Sequence, residues 1–236
     1  MTKPANITVI AVDGPAASGK GTFATALAAR LHYAYLDTGA LYRLVALTVL
    51  QQGGDPAKPE HIQAALAAIH YPLTAAQLTD PALRTPEVSE AGSIVAVIPE
   101  VRAHIRHYQE DFMKAPPGGA EGVVLDGRDI GTVVCTDADL KFFVVASAAE
   151  RARRRFEEQK ATTPGLTYEM VLHDINERDE RDRNRPVSPL RAAADAITLD
   201  TTKSNPAETL EQGLKIFEQK LKKKSLRAPK QPKPKF

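Results

Sequence analysis

The stretch that most constrains this chain is Gly14-Pro-Ala-Ala-Ser-Gly-Lys-Gly-Thr22, which stands between an apolar run and an alanine-rich one. Residues 7–12 (ITVIAV) have the β-branched content of a buried parallel strand, and residues 23–31 (FATALAARL) read as a helix. A glycine-rich turn between a strand and a helix N-terminus aims backbone N–H groups at an anion and adds the helix's partial positive charge. The expectation is a phosphate-binding loop formed by Gly14, Pro15, Ala16, Ala17, Ser18, Gly19, Lys20, Gly21 and Thr22. Lys20 is its mobile charge for the terminal phosphates of a nucleoside triphosphate. The usual spacing sets a Ser or Thr directly after the lysine; here Gly21 intervenes, and Thr22 supplies the hydroxyl expected on the magnesium side. A turn that binds nothing is the alternative, and the flanking strand and helix weigh against it.

A chain of 236 residues that is 43% hydrophobic and 25% charged can bury a proper core as one large domain, insertions included. Its single cysteine, Cys135, excludes an intrachain disulfide, and no His/Cys grouping has zinc-ligand spacing. The longest apolar stretch, near residues 142–149, is far short of the ~20 residues that span a bilayer. The N-terminus runs into the first strand with no apolar leader, so a cytoplasmic location without a membrane partner is expected. Residues 222–236 hold seven Lys or Arg and no acid, so the formal charge of +2 hides a net negative body. Residues 225–236 read as a disordered basic tail, either a solubilising terminus or an arm for polyanions.

Further along, residues 33–36 read as a second strand that ends on Asp37-Thr38-Gly39, the cap of a helix carrying Leu41, Leu44, Val45 and Leu47. Thr38, Tyr42 and Arg43 then converge at the mouth of the sheet, where an arginine can grip a phosphate as a fork. Residues 51–92 lose periodicity around Pro72, Pro81 and Pro86 and read as an insertion rather than core, followed by helical segments at 93–97 and 99–113. Strands are expected at 122–125, 140–145 and 197–200, and a closing helix at 206–221. Asp126, at the end of the third strand, is the expected second group that orients magnesium. A helix at 148–160 carries Arg151, Arg153, Arg154 and Arg155, and a second begins at Thr167. Arg178, Asp182 and Arg185 share a face of that second helix, whose mixed charges also fit a solvent-exposed, ion-paired surface. Strands interleaved with helices argue for an α/β fold, a five-stranded parallel sheet covered on both faces.

Four blocks together resemble the bacterial cytidylate kinases: GPAASGKGT at 14–22, LDTGALYR at 36–43, LDGRDIGTVV at 125–134 and ERDERDRNRPVSPL at 177–190. The GKGT form of the loop is itself that of nucleoside monophosphate kinases. The resemblance runs from about residue 7 to 221 and implies a P-loop kinase that transfers the γ-phosphoryl of ATP to CMP or dCMP with Mg2+. It implies one domain, 1–224, with core at 6–37, 109–150 and 186–222. An acceptor-binding insertion is expected at about 38–108, and a lid at about 151–166. The implied CMP contacts are Thr38, Tyr42, Arg43, Ser93, Arg102, Arg128, Asp129, Arg178, Asp182 and Arg185. Asp129 would accept a hydrogen bond from the exocyclic amine of cytosine. Lys20, Arg128, Arg185 and the lid's Arg154 would act on the transferring group, with Thr22 and Asp126 on the metal. The insertion is short and proline-rich between 69 and 84, so a trimmed acceptor region is expected.

Two rivals define what the structure must discriminate. One is a kinase for another acceptor, UMP or dTMP; an alcohol acceptor would require a catalytic base that no block supplies. The other is a nucleotide-regulated RNA-binding protein, which would need a basic or aromatic reading surface that a net negative, tryptophan-free body lacks. No specific nucleic acid partner is therefore expected, and the chain is expected to be a monomer.

Overall fold

The computed structural model describes residues 4 and 6–227, with side chains as far as residue 220. Its centre is a fully parallel sheet of five strands in the order β2-β3-β1-β4-β5. The strands are β1 (Thr8–Asp13), β2 (Ala34–Asp37), β3 (Gly122–Gly127), β4 (Leu140–Val145) and β5 (Ile197–Asp200). The chain leaves β1 for β2, returns through β3 to pair with β1, then crosses to β4 on the other side. That reversal opens a crevice beyond the carboxyl ends of β1 and its neighbours, where such sheets bind ligands.

Alternation along β1 divides the core. Val9 and Ala11 face one side with Leu36, Val123 and Leu125; Ile10 and Val12 face the other with Val124, Phe142 and Leu199. The second side is covered by α1 (Lys20–Leu31) and α9 (Pro206–Arg227), whose Gly213 leaves no room for even a methyl group against the Phe23 ring. The first side is covered by α2 (Thr38–Gln51), α3 (Pro59–Ala68), α5 (Pro86–Val95) and α6 (Pro99–Lys114); α4 (Ala75–Thr79) is a short turn between them. A helical hairpin, α7 (Ala148–Gln159) and α8 (Tyr168–Asn184), closes over the loop around a small cluster of its own that includes Ala17.

Three expectations require correction. Residues 51–92 do not stand apart from the core: Ile62, Leu83, Val88 and Ala91 join the same apolar cluster as Val9 and Leu125. The helix expected at 93–97 starts at Pro86 instead, capped by the Thr85 hydroxyl accepting from the Val88 N–H. Pro86, like Pro59, Pro99 and Pro206, is the first residue of its helix, where a missing N–H costs nothing. Helix α9 continues to Arg227, so residues 225–227 of the expected tail are helical; 228–236 lie outside the described residues. Among the described residues, no helix is long and apolar enough to cross a membrane.

Candidate active site

Residues 14–19 leave β1 in a tight path. A Cβ on Gly14 would sit 2.1 Å from the Val144 carbonyl oxygen, so the chain passes directly against β4. Ala17 (φ 58°) and Gly19 (φ 82°) both take left-handed conformations. Gly19 caps α1 without any side-chain hydrogen bond, which leaves the first N–H groups of the helix for a ligand. The Lys20 ammonium lies 3.8 Å from Asp126 Oδ1. Burial, reinforced by the nearby Arg128, pushes Lys20 down to about 8 against the pull of Asp126 and Asp37. Burial likewise raises the Asp126 carboxyl, and its Oδ1 is buried with no hydrogen-bond donor. Gly21 explains the shifted hydroxyl of the motif: a Cβ there would come within 3.2 Å of Asp126 Oδ2. Thr22 lies one residue further along, exposed at the edge of the cleft.

The cleft, about 1360 Å³, runs from this loop to the acceptor side of the sheet. Thr38 donates to the Asp126 carbonyl at 2.7 Å and is buried beneath Tyr42 and Arg43. Burial pushes the Tyr42 phenol up to about 12, and the Arg102 guanidinium lies over its ring at 5.9 Å. Arg43 pairs with Asp37 at 2.7 Å, and its stem passes so close to Gly92 that a Cβ there would meet it at 3.0 Å. Arg102 holds the Asp129 carboxylate and also donates to Ser188 Oγ at 2.8 Å. Arg128 donates to Asp182 at 3.0 Å. Ser93 Oγ accepts from Arg181 at 2.6 Å and donates to the Glu90 carbonyl. Arg178 has a buried Nε without an acceptor, and burial beside Arg128 pushes it down to about 9. Arg185 donates through Nε to the Ser188 carbonyl and keeps a buried Nη2 without one.

Every acceptor-side residue named from the sequence lines this one cleft, as do the loop residues from Ala16 onward. Arg154 lines the cleft beside Gly19 of the loop, where its guanidinium donates to the Thr201 hydroxyl and carbonyl and to the Glu150 carboxylate. Its neighbour Arg155 faces the cleft, near enough to Arg128 and Arg43 to feel their charge. Four residues to which sequence reasoning gave no role in the site matter here: Arg155, Arg181, Asp37 and Asp13. Asp13, at the end of β1, is buried and accepts from the N–H groups of Ile130 and Gly131, each at 2.8 Å. It pins the single π-helical turn at Ile130–Val134 that follows Arg128 and Asp129. Burial raises its carboxyl to about 7, against those two hydrogen bonds.

Among the described residues, no group of three or more His, Cys, Asp or Glu could cage a metal ion. A single buried carboxylate oxygen at Asp126 beside a phosphate loop suits a hard cation that takes most of its ligands from phosphate and water.

A phosphate loop at the switch point of a parallel sheet, facing a cleft lined with arginines, defines the P-loop kinase class of α/β proteins. Within that class the chain belongs to the cytidylate kinase family, whose model, described as "Cytidylate kinase", matches residues 10–219. A protein named cytidylate kinase from Rhodospirillum rubrum is 48% identical over 215 residues, covering 91% of this chain and 99% of its own. Another of that name from Paramagnetospirillum magneticum is 50% identical over 195 residues, covering 83% and 90%. A crystal structure of an uncharacterized protein from Eubacterium ventriosum shares the fold, with a TM-score of 0.53 at 12% identity over 89% of this chain and 98% of that one.

Proposed function

We propose that this chain transfers the γ-phosphoryl group of ATP to CMP or dCMP, giving ADP and CDP or dCDP. The observation that carries the choice of acceptor is the Asp129 carboxylate, buried at the cleft wall and held by Arg102. Such a carboxylate accepts from the exocyclic amine of cytosine, whereas uracil presents a carbonyl there and is repelled. Ser93, held by Arg181, completes the base pocket with Arg102. Thr38, Tyr42, Arg178 and Asp182 surround the sugar, and Arg43, Arg128 and Arg185 grip the acceptor phosphate.

The acceptor phosphate oxygen is already anionic, so in-line attack on the γ-phosphorus requires no general base. The protein's task is to position two polyanions and neutralise the group that moves between them. Lys20 and the backbone N–H groups from Ala16 to Thr22 hold the donor. Arg155 fits the lid's part in the transfer better than Arg154, whose guanidinium is occupied by Thr201 and Glu150. Mg2+ held by Thr22 and Asp126 together with ATP would neutralise charge on the phosphate oxygens. Residues 38–108 and the hairpin near 151–166 serve as acceptor-binding and lid portions of one domain, and their closure excludes water from the γ-phosphate. The chain works as a monomer where ATP is made available, in the cytoplasm.

The test is ADP release from ATP and Mg2+ measured against CMP, dCMP, UMP, AMP, GMP and dTMP. Turnover confined largely to CMP and dCMP is the expected result. Turnover mainly with UMP or dTMP would move the assignment to that acceptor and withdraw the role of Asp129.

A further inference from the structure

Arg151 stands outside the roles just given, yet it is among the most deeply buried charges in the chain, 2% exposed. It sits in the first turns of α7 and uses its guanidinium in four directions. Nε donates to the Ala146 carbonyl at 3.0 Å, and Nη1 to the Ala16 carbonyl at 3.2 Å. Nη1 and Nη2 grip the two oxygens of Asp179 on α8 at 2.9 and 2.6 Å. Asp179 is 3% exposed and stands between Arg178 and the Asp182 turn of the acceptor helix.

We propose that Arg151, oriented by Asp179, is a positioning residue that sets the shape of the phosphate loop for ATP. A peptide plane points its carbonyl and its N–H in opposite directions. With the Ala16 carbonyl drawn to Arg151, the Ala17 N–H is aimed away from the helical hairpin, toward the side on which the loop lines the cleft. The same logic applies two residues on, where the Thr201 hydroxyl donates to the Ser18 carbonyl at 2.8 Å and so directs the Gly19 N–H. Between these clamps Ala17 holds a left-handed conformation that a non-glycine residue adopts only when its surroundings enforce it. Its methyl packs into the hairpin cluster with Ala152, Val171 and Ile175. A bare structural purpose would not need these charges, because a well-packed apolar pair commonly replaces a buried ion pair with no loss of stability. The bidentate fork is what aims a third N–H at a loop carbonyl.

This inference rests on the kinase reading only in taking ATP as the ligand of the loop, and equilibrium binding of Mg-ATP, measured by calorimetry, tests it without any transfer step. In Arg151→Met/Asp179→Leu both buried charges are removed, and Arg183, which also donates to Asp179 at 3.0 Å but is largely exposed, is left to solvent. The double variant is expected to melt within about 3 °C of the parent and to bind Mg-ATP roughly tenfold more weakly. Parent-like melting together with parent-like ATP affinity would overturn the proposal, since the pair would then be structural only. Should the double variant fail to fold, Arg151→Lys decides: it keeps a cation beside Asp179 but cannot also reach the Ala16 and Ala146 carbonyls. Weakened ATP binding in that variant supports the proposal, and unchanged binding overturns it. CMP-dependent ADP release by the parent is run alongside; its absence, with ATP still bound, would sink the kinase reading and leave the loop inference standing.

Discussion

Lys20 sets catalysis and stability against each other. Its ammonium is buried in the loop with 12% of the side chain exposed, and its pKa falls from 10.5 to about 8. Holding the proton at neutral pH therefore costs the folded chain about 3 kcal/mol, a figure that already includes the attraction of Asp126. The sign follows from proton counts: between pH 8 and 10.5 the unfolded chain binds the proton and the folded chain releases it. This group's cost accordingly shrinks as pH rises through that window and is full below it. Activity moves the other way, because only the charged form can hold phosphate. For the free enzyme, kcat/KM for ATP is expected to fall about tenfold per pH unit above about 8, while kcat holds to higher pH because bound phosphates keep the proton on. Lys20→Met removes the charge and keeps an apolar stem. At pH 7 it should melt roughly 6–12 °C higher than the parent and lose at least ~100-fold in kcat. The stability gain should vanish toward pH 10. A variant that melts at or below the parent at pH 7, or a parent whose kcat/KM for ATP is level from pH 7 to 10, would refute the reasoning.

Other substitutions probe the remaining parts of the cleft. Asp129→Ala frees Arg102 and removes the acceptor for the cytosine amine, so the CMP-to-UMP ratio of kcat/KM should drop by roughly 10–100-fold; an unchanged ratio would remove the base-recognition argument. Arg155→Met should lower kcat by about 100-fold or more, whereas Arg154→Met, which loosens Thr201 behind the loop, should act mainly on KM for ATP; steady-state kinetics showing the reverse would exchange the two roles. In Gly14→Ala the new methyl carbon meets the Val144 carbonyl oxygen at 2.1 Å just beyond the end of the β1–β4 pairing, where backbone faces backbone. A loss of about 3 kcal/mol or more, read as a fall of at least ~6 °C in Tm, is expected. Gly53→Ala, with open space around it, should cost only about 1 kcal/mol for its left-handed backbone.

What could be read from the sequence was what is decided locally. The strand-loop-helix around Lys20, the five apolar strands and the helix start at Asp37-Thr38-Gly39 each depend on neighbours in the chain, and each is where it was expected, with Asp37 supplying the cap and Thr38 bonded instead to the Asp126 carbonyl. Residues 51–92 misled because their apolar side chains are spaced between prolines. Pro59, Pro81 and Pro86 mark helix starts, and the side chains meet the core only once several short helices pack together. Arg154 and Arg155 differ by one step of about 100° around α7. Both line the cleft, but Arg154 is held on Thr201 while Arg155 lies near Arg128 and Arg43; that division depends on how Arg151 and Ala152 dock against α8, and periodicity carries no record of it. Asp13 was invisible for a related reason: its partners are Ile130 and Gly131, on a turn more than a hundred residues away.

The acidic partners of the cleft have a consequence for what the protein ignores. Arg43, Arg102 and Arg128 each hold an aspartate: Asp37, Asp129 and Asp182. A phosphate arriving alone gains an arginine only by turning a carboxylate loose in a low-dielectric wall, so the trade is close to even. On the proposed assignment a cytidine nucleotide brings compensation with it, since its sugar hydroxyls would be donors for the Asp182 carboxylate that its phosphate evicts from Arg128, and its amine a donor for Asp129. Free phosphate, polyphosphate and RNA backbone offer only half of that exchange. On that assignment the aspartate-paired arginines keep their charge masked from such polyanions, and Arg128 discloses its own to a ligand that satisfies Asp182 as well.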